Sequence, residues 1–445
     1  MQRRELLAAA LLPTLAAAQA ATQPEAPLHP AGIGHRGWAA TEGGRGGALL
    51  RVTTLAADGP GSLKAALDTP GPRQIVFEVG GVIDLAGKSW TLREPRVTVA
   101  GQTAPEPGIT LIRGELVVAT QDVILQHLMV RPGAYGRAKR SGLDHDGLST
   151  ADGAARVIVD HCSFSWATDE NLSVGGSRFS GATPADWRRA TGHAITFSHN
   201  LIYEGLGDSV HAKGEHSKGT LIHDNASDIL LLGNLYAANR ERNALFKGGA
   251  RGAMLNNLIV NPGAKAVHYN LVAHEWAGQA HQLGRVVLAG NVLRGGADTV
   301  PKLPLFTLGG VGDVELFLQD NIAVDRHGQP LPLTGRYTAS AAQIVPLREP
   351  GLPPGLRWLR PEGLEQQLPL WVGARPWARD VLDAKLLSDV AEDRTRLIDD
   401  ETQSDPQGLP RRTATRRAFV AADWHLDDLS PRAGWASLYP GGRLP

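Results

Sequence analysis

Seven segments of this chain share one template, in which apolar residues run into a polar or small pair and then into apolar residues again. They are VILQHLMV from Val123, VIVDHCSF from Val157, ITFSHNLIY from Ile195, ILLLGNLYA from Ile229, MLNNLIV from Met254, VVLAGNVL from Val286 and ELFLQDNIAV from Glu315. Asn takes the second place of the pair at 200, 234, 257, 291 and 321, at intervals of 34, 23, 34 and 30 residues. A short unit in the twenties that grows by insertion is the signature of a solenoid whose coils stack their strands. Stacked coils lie about 4.8 Å apart, so an Asn repeated at one coil position can bond the turn backbone and the Asn of the next coil. A β-sandwich would need turns every ~8–12 residues and gives no reason for a fixed Asn. The predicted fold class is therefore all-β, a parallel β-helix.

A repeat core lengthens rather than thickens, so 445 residues do not force a division into several compact domains. The 52 glycines, 29 prolines and 5% aromatic content suit a turn-rich β architecture. Formal net charge is zero, which leaves any attraction for a polyanion to local clusters and gives no support to nucleic-acid binding. Short strands are expected at Arg51 to Leu55, Ile75 to Val79, Val97 to Ala100, Ile109 to Ile112 and Leu116 to Val118. Ser62 is placed to cap a short helix, Leu63 to Leu67, covering the open end of the stack.

Residues 1–20 read as an export signal, with Arg3-Arg4, an apolar run from Leu6 to Ala18 and Ala18-Gln19-Ala20 as cleavage site. The paired arginines also fit a twin-arginine signal. Secretion or periplasmic delivery of a soluble chain, expected as a monomer with no membrane partner, follows. A spacer at 21–32, a β-helix at 33–340 and a C-terminal tail at 341–445 complete the expected organisation. In the tail, Pro350 to Pro376, with Trp358 and Trp371, is expected to lie extended on the solenoid. Asp380 to Ala391 places Leu382, Leu386 and Val390 on one helical face. The sole cysteine, Cys162, allows no internal disulfide and reads as a buried, inert thiol.

The chemistry-bearing stretch is Asp144-His145-Asp146, followed by Asp169-Glu170-Asn171. Its four carboxylates, Asp144, Asp146, Asp169 and Glu170, fall outside strand interiors, where hard oxygen ligands can converge on a cation such as Ca²⁺. Acidic turn residues serve equally as Asx-turns on a solvated loop. A basic run from Arg240 through Arg242 and Lys247 to Arg251 could be carried by the repeats to the same surface, or form a solvated face. Insertions at Gly175 to Thr191 and Tyr203 to His223, the latter with Lys213, His216 and Lys218, are polar loops of the kind that meet ligands. His145, His161, His199 and His211 lack the paired helical spacing or cysteine partners of a zinc site and read as core or turn histidines.

Taken together, GPGSLKAAL, GQTAPEPGITL, VDHCSFSWATDEN, NLIYEGL, the run Asn239-Arg240-Glu241-Arg242-Asn243 and VGARPWARD resemble the family 1 polysaccharide lyases. The likeness is to the pectate lyase and pectate trisaccharide-lyase branch, from about Ile33 to about Ile398. It implies a right-handed parallel β-helix that cleaves polygalacturonate, an acidic polysaccharide, by Ca²⁺-assisted β-elimination. It further implies that Asp144, Asp146 and Asp169 are Ca²⁺ ligands, with Glu170 beside them and Ser173 where a second aspartate usually stands. Arg242 matches the catalytic arginine, and Lys247 stands where a substrate-binding arginine is found. Ala244 replaces the usual proline, and Lys213 and Arg240 are further substrate-binding candidates. A uronate C5 proton leaves readily only when the adjacent carboxylate is neutralised, which a bridging cation achieves. A guanidinium has a pKa of ~12.5 or above, so Arg242 either has that value lowered and acts as base, or stabilises charge while another group takes the proton. The rivals are a glycoside hydrolase on the same solenoid, using two flanking carboxylates, and a β-helix that binds carbohydrate without cleaving it.

Overall fold

The computed structural model describes residues 32–445. The expectations for residues 1–20, and for the spacer up to Ala31, lie outside the described residues. The chain winds into a parallel β-helix with three strands to a coil. The first strand of each coil builds an 11-stranded sheet from Ala48–Val52 to Ile344–Pro346, through Gln121–Gln126, Ala155–Asp160 and His193–Ser198. The second strands stack from Leu128–Arg131 through Ser163–Ser165, Leu201–Tyr203 and Leu235–Ala237 to Ile322–Val324. The third strands stack from Leu148–Thr150 through Glu170–Val174, Lys218–Ile222, Glu241–Lys247 and Val267–Leu271 to Thr334–Arg336.

Register explains the template. Val123, Val157, Ile195 and Ile229 are consecutive partners, as are Leu125, Val159, Phe197 and Leu231. Both rows point into one core cluster, where burial stabilises by about 1.5–3 kcal/mol per large aliphatic side chain. The alternate row, Leu230, Ala253, Val287 and Phe317, faces outward and is covered by Trp38, Leu356 and Trp358. That cover places Trp358 on the solenoid as expected. Two expected strands, Ile109 to Ile112 and Leu116 to Val118, form one, Ile109–Val118, which pairs with both the second and the third stacks.

The corner between first and second strands carries the polar pair. Its first residue adopts a left-handed conformation at His161, His199, Gly233, Asn256, Gly290 and Asp320, so Gly, Asn, Asp and His occupy it. Its second residue is the repeated Asn, and the amides form a continuous ladder. Nδ2 of Asn200 donates to Oδ1 of Asn234 at 3.0 Å, Asn234 to Asn257 at 3.0 Å, Asn257 to Asn291 at 3.0 Å and Asn291 to Asn321 at 2.9 Å. Cys162 tops this ladder, its N–H donating to Asn200 Oδ1 at 2.8 Å. Burial pushes the Cys162 thiol up to about 12, which makes it inert. Asn257→Ala strips acceptors from the N–H and Nδ2 of Asn234 and a donor from the Leu231 carbonyl. We expect a loss of about 2–4 kcal/mol in urea unfolding. Asn321→Ala, at the half-exposed end of the ladder, should cost under about 1 kcal/mol.

Ser62 caps helix α1, Leu63–Leu67, whose Leu63, Ala66 and Leu67 enter the core. Helix α2, Pro184–Ala190, was not expected in the first insertion. Thr183 and Asp186 cap it reciprocally and Pro184 opens it, a short signal hidden among loop-forming residues. Helix α3, Leu364–Trp371, corrects the extended reading of 350–376. Its Leu364 and Leu368 pack on the second stack, although Pro369 lies inside it. Helix α4, Val381–Ala391, starts at the Asp380 cap and buries Leu382, Leu386 and Val390 as the spacing predicts. Near the end, Thr415–Arg416 pairs antiparallel to Val79 and Gly80. Among the described residues no helix is long and apolar enough to cross a membrane.

Candidate active site

The third stack carries the site. Across it, Glu170 pairs with Lys218 and Lys218 with Glu241, so residues far apart in the chain stand on adjacent strands. The approach to Glu170–Val174 is locked by backbone bonds. The His145 carbonyl accepts from the N–H groups of Thr168 at 3.0 Å and Asp169 at 3.1 Å. Asn171 adds bonds to the Ala167 N–H and the Tyr203 carbonyl. Asp146 Oδ1 accepts from the Glu170 N–H at 2.9 Å, and Oδ2 from Ser173 Oγ at 2.5 Å. Ser173 therefore holds Asp146 in place.

Carboxylate oxygens of Asp146, Asp169 and Glu170 all lie within 4.8 Å of one another. Burial, with Asp169 and Glu115 nearby, pushes the Asp146 carboxyl well above the usual range. Burial also works against Asp169, but His216, Lys218 and Arg242 overcome it and hold its carboxyl far down. Three hard oxygen donors at this spacing fit a divalent ion of the Ca²⁺ type. Asp144 does not join them. It is exposed, because residues 142–146 form no strand, and the i, i+2 spacing has no pleat to bring both aspartates to one face.

Arg242 arrives from the next coils but one and pairs through Nη1 with Glu170 Oε1. Burial lowers its pKa, opposed by Asp169 and Asp146. Lys218 Nζ lies 3.7 Å from Asp169 Oδ1, and burial lowers its pKa as well. His216 Nε2 stands 3.3 Å and His211 Nε2 3.6 Å from the same carboxylate, with the two rings stacked at 3.5 Å. Beside this group runs a cleft of about 330 Å³ lined by Asp169, Glu170, Lys213, Lys218, Arg242 and Lys247, among others. Lys213 and Lys247 thus reach the cleft. Arg240 instead pairs with Glu215 at 2.9 Å and does not line it.

Lys247 is not a lone cation. Its Nζ pairs with Glu275 and lies 3.3 Å from Asp224 Oδ2, while Arg178 Nη1 meets the same two acids at 3.0 and 3.3 Å. Lys218 and Arg178 lie in the two insertions already marked by their polarity, whereas Asp224 and Glu275 carried no motif. His161 and His199 sit in the corner stack, where both bond the buried Asp160 at 2.7 and 3.0 Å, and the deeply buried His145 is tied through its backbone to Thr168.

No family model matches the chain. Probable pectate lyase C of Emericella nidulans is 34% identical over 222 residues, which are 50% of this chain and 45% of that protein. Probable pectate lyase C of Aspergillus oryzae is 31% identical over 268 residues, 60% of this chain and 54% of that protein. The chain spans about half the length of the curated relatives it matches. The likeness to pectate lyases read from the motifs recurs in these matches. Among solved structures, jun a 1, the major allergen from cedar pollen, superposes with a TM-score of 0.52 at 14% identity, covering 76% of this chain and 92% of that one. It shares the fold.

Proposed function

We propose that this chain is a pectate lyase that cleaves polygalacturonate or a related polyuronate by β-elimination. The observation that carries this reading is the meeting of Arg242 with the acidic group Asp146, Asp169 and Glu170 at the wall of a cationic cleft. In the reaction a base takes the C5 proton, its electron pair forms the C4–C5 double bond, and the C4–O bond breaks, the leaving oxygen taking up a proton. Ca²⁺ held by Asp146, Asp169 and Glu170 would neutralise the uronate carboxylate and so acidify C5. Glu170 orients the Arg242 guanidinium, which stands ready to take the proton or to stabilise the developing negative charge. Lys213 and Lys218, which line the cleft, attract and align the acidic polymer. Action outside the cytoplasm suits a substrate too large to enter a cell.

Unsaturated product, followed by its ultraviolet absorbance, is expected from polygalacturonate with Ca²⁺ present. A chelator should abolish it and added Ca²⁺ restore it. Reducing ends without unsaturation would instead assign a hydrolase, and binding without any product a non-catalytic lectin-like role.

A further inference from the structure

The charge group at the far end of the cleft is balanced. Two cations, Arg178 and Lys247, face two anions, Asp224 and Glu275. The anions are not equivalent. The Asp224 side chain is fully enclosed, whereas that of Glu275 is 27% exposed. Trp276 Nε1–H donates to Asp224 Oδ1 at 2.7 Å, and a ring nitrogen of His223 lies 2.9 Å from its other oxygen. Asp224 is thus built in, and Glu275 is the partner that an incoming group meets.

The segments that carry these charges pack against each other. Phe179, next to Arg178, meets Trp276, next to Glu275, edge to face with centroids 4.9 Å apart. Trp187 of α2 packs against Phe179 at 5.3 Å. Gly248 leaves room for this arrangement, since a Cβ there would lie 2.5 Å from Trp276 Nε1. The turn Ala273–Trp276 and the insertion that carries Arg178 therefore bring Glu275 and Arg178 together, 3.0 Å apart.

We propose that Glu275 is a specificity-determining residue, which by occupying Arg178 and Lys247 makes this end of the cleft accept a methyl-esterified uronate in place of a free carboxylate. The inference rests on the pectate lyase reading and names its substrate class more closely. A free carboxylate must displace Glu275 or enter a site with no charge to offer it, losing hydration without a matching partner. A neutral ester loses little. Without the Glu275 charge, Arg178 and Lys247 face Asp224 alone, and a free carboxylate becomes the matching ligand.

The test compares kcat/KM on polygalacturonate and on pectins of graded methylation for the wild-type chain, Glu275→Gln and Arg178→Gln, each checked for folding by circular dichroism and melting. The readout is the ratio of methylated to unmethylated substrate. Glu275→Gln should lower that ratio about tenfold, mainly through a smaller KM for the unmethylated polymer. Arg178→Gln leaves an excess of negative charge and should raise it. Movement of the two variants in opposite directions supports the proposal, and Arg178→Gln keeps it testable should Glu275→Gln fail to fold. Ratios that stay put, or move together, while the wild type turns over overturn the inference alone. A wild-type chain that releases unsaturated product from no polymer overturns the lyase reading, and this inference with it.

Discussion

Arg242→Ala is expected to lower kcat on polygalacturonate on the order of 10³-fold while leaving the fold intact. Arg242 pairs with Glu170 of the acidic group, and its side chain ends at the cleft rather than in the core. Its loss removes charge stabilisation, proton removal or both. The variant also frees Glu170 from its partner, so oligouronate binding should weaken far less than turnover. Full turnover in the variant would remove Arg242 from the chemistry. The pH profile separates its two roles. Burial lowers the guanidinium's pKa against the pull of Asp169 and Asp146, so its neutral fraction grows as pH rises. If Arg242 takes the C5 proton, kcat climbs with pH until that lowered value is passed. A profile flat through the alkaline range assigns Arg242 to charge stabilisation and the proton to another group.

Arg131→Met should destabilise the fold by about 3–5 kcal/mol, the largest stability effect expected of a single substitution here. Arg131 is fully enclosed in the second stack and bonds three groups. Its Nη1 reaches Asp380 Oδ2 at 2.6 Å, and its Nη2 reaches Asp383 Oδ1 at 2.9 Å and Tyr203 Oη at 3.2 Å. Asp383 in turn accepts from Tyr203 at 2.8 Å and Ser163 at 2.5 Å. The network pins the start of α4 to the β-helix. Methionine would leave two buried carboxylates, with Arg412 still 2.6 Å from Asp380. Denaturant midpoints should fall accordingly, and α4 amides should exchange faster than those of the Asn ladder. Arg412→Ala, which removes one charge-assisted bond at the edge of the network, should cost about 1.5–3 kcal/mol. If Arg131→Met unfolded at the wild-type midpoint, α4 would be held by its apolar face alone.

The coil was legible because its determinants are local. The left-handed corner, the Asn that follows it and the inward alternation lie within a few residues of one another, so five asparagines at one template position already specify stacked coils. Helices α1 and α4 were legible for the same reason, the first through its Ser62 cap and the second through the spacing of Leu382, Leu386 and Val390. Helix α3 was missed because its two inward leucines outweigh a proline that argues against a helix. Asp144 does not join the acidic group because residues 142–146 lie outside any strand, where no regular pleat brings it to the face of the buried Asp146.

By itself the sequence determined the winding, since hydrogen bonds and backbone conformations of short range repeat with every coil. Only the tertiary structure decided which charges face one another. Asp169 found Lys218, Glu170 found Arg242, and Lys247 found Asp224 and Glu275. The pairings are set by how many residues each insertion adds before the chain rejoins the stack. Burial then makes each one consequential, because a charge taken from water must be matched by whatever neighbour the path of the chain provides.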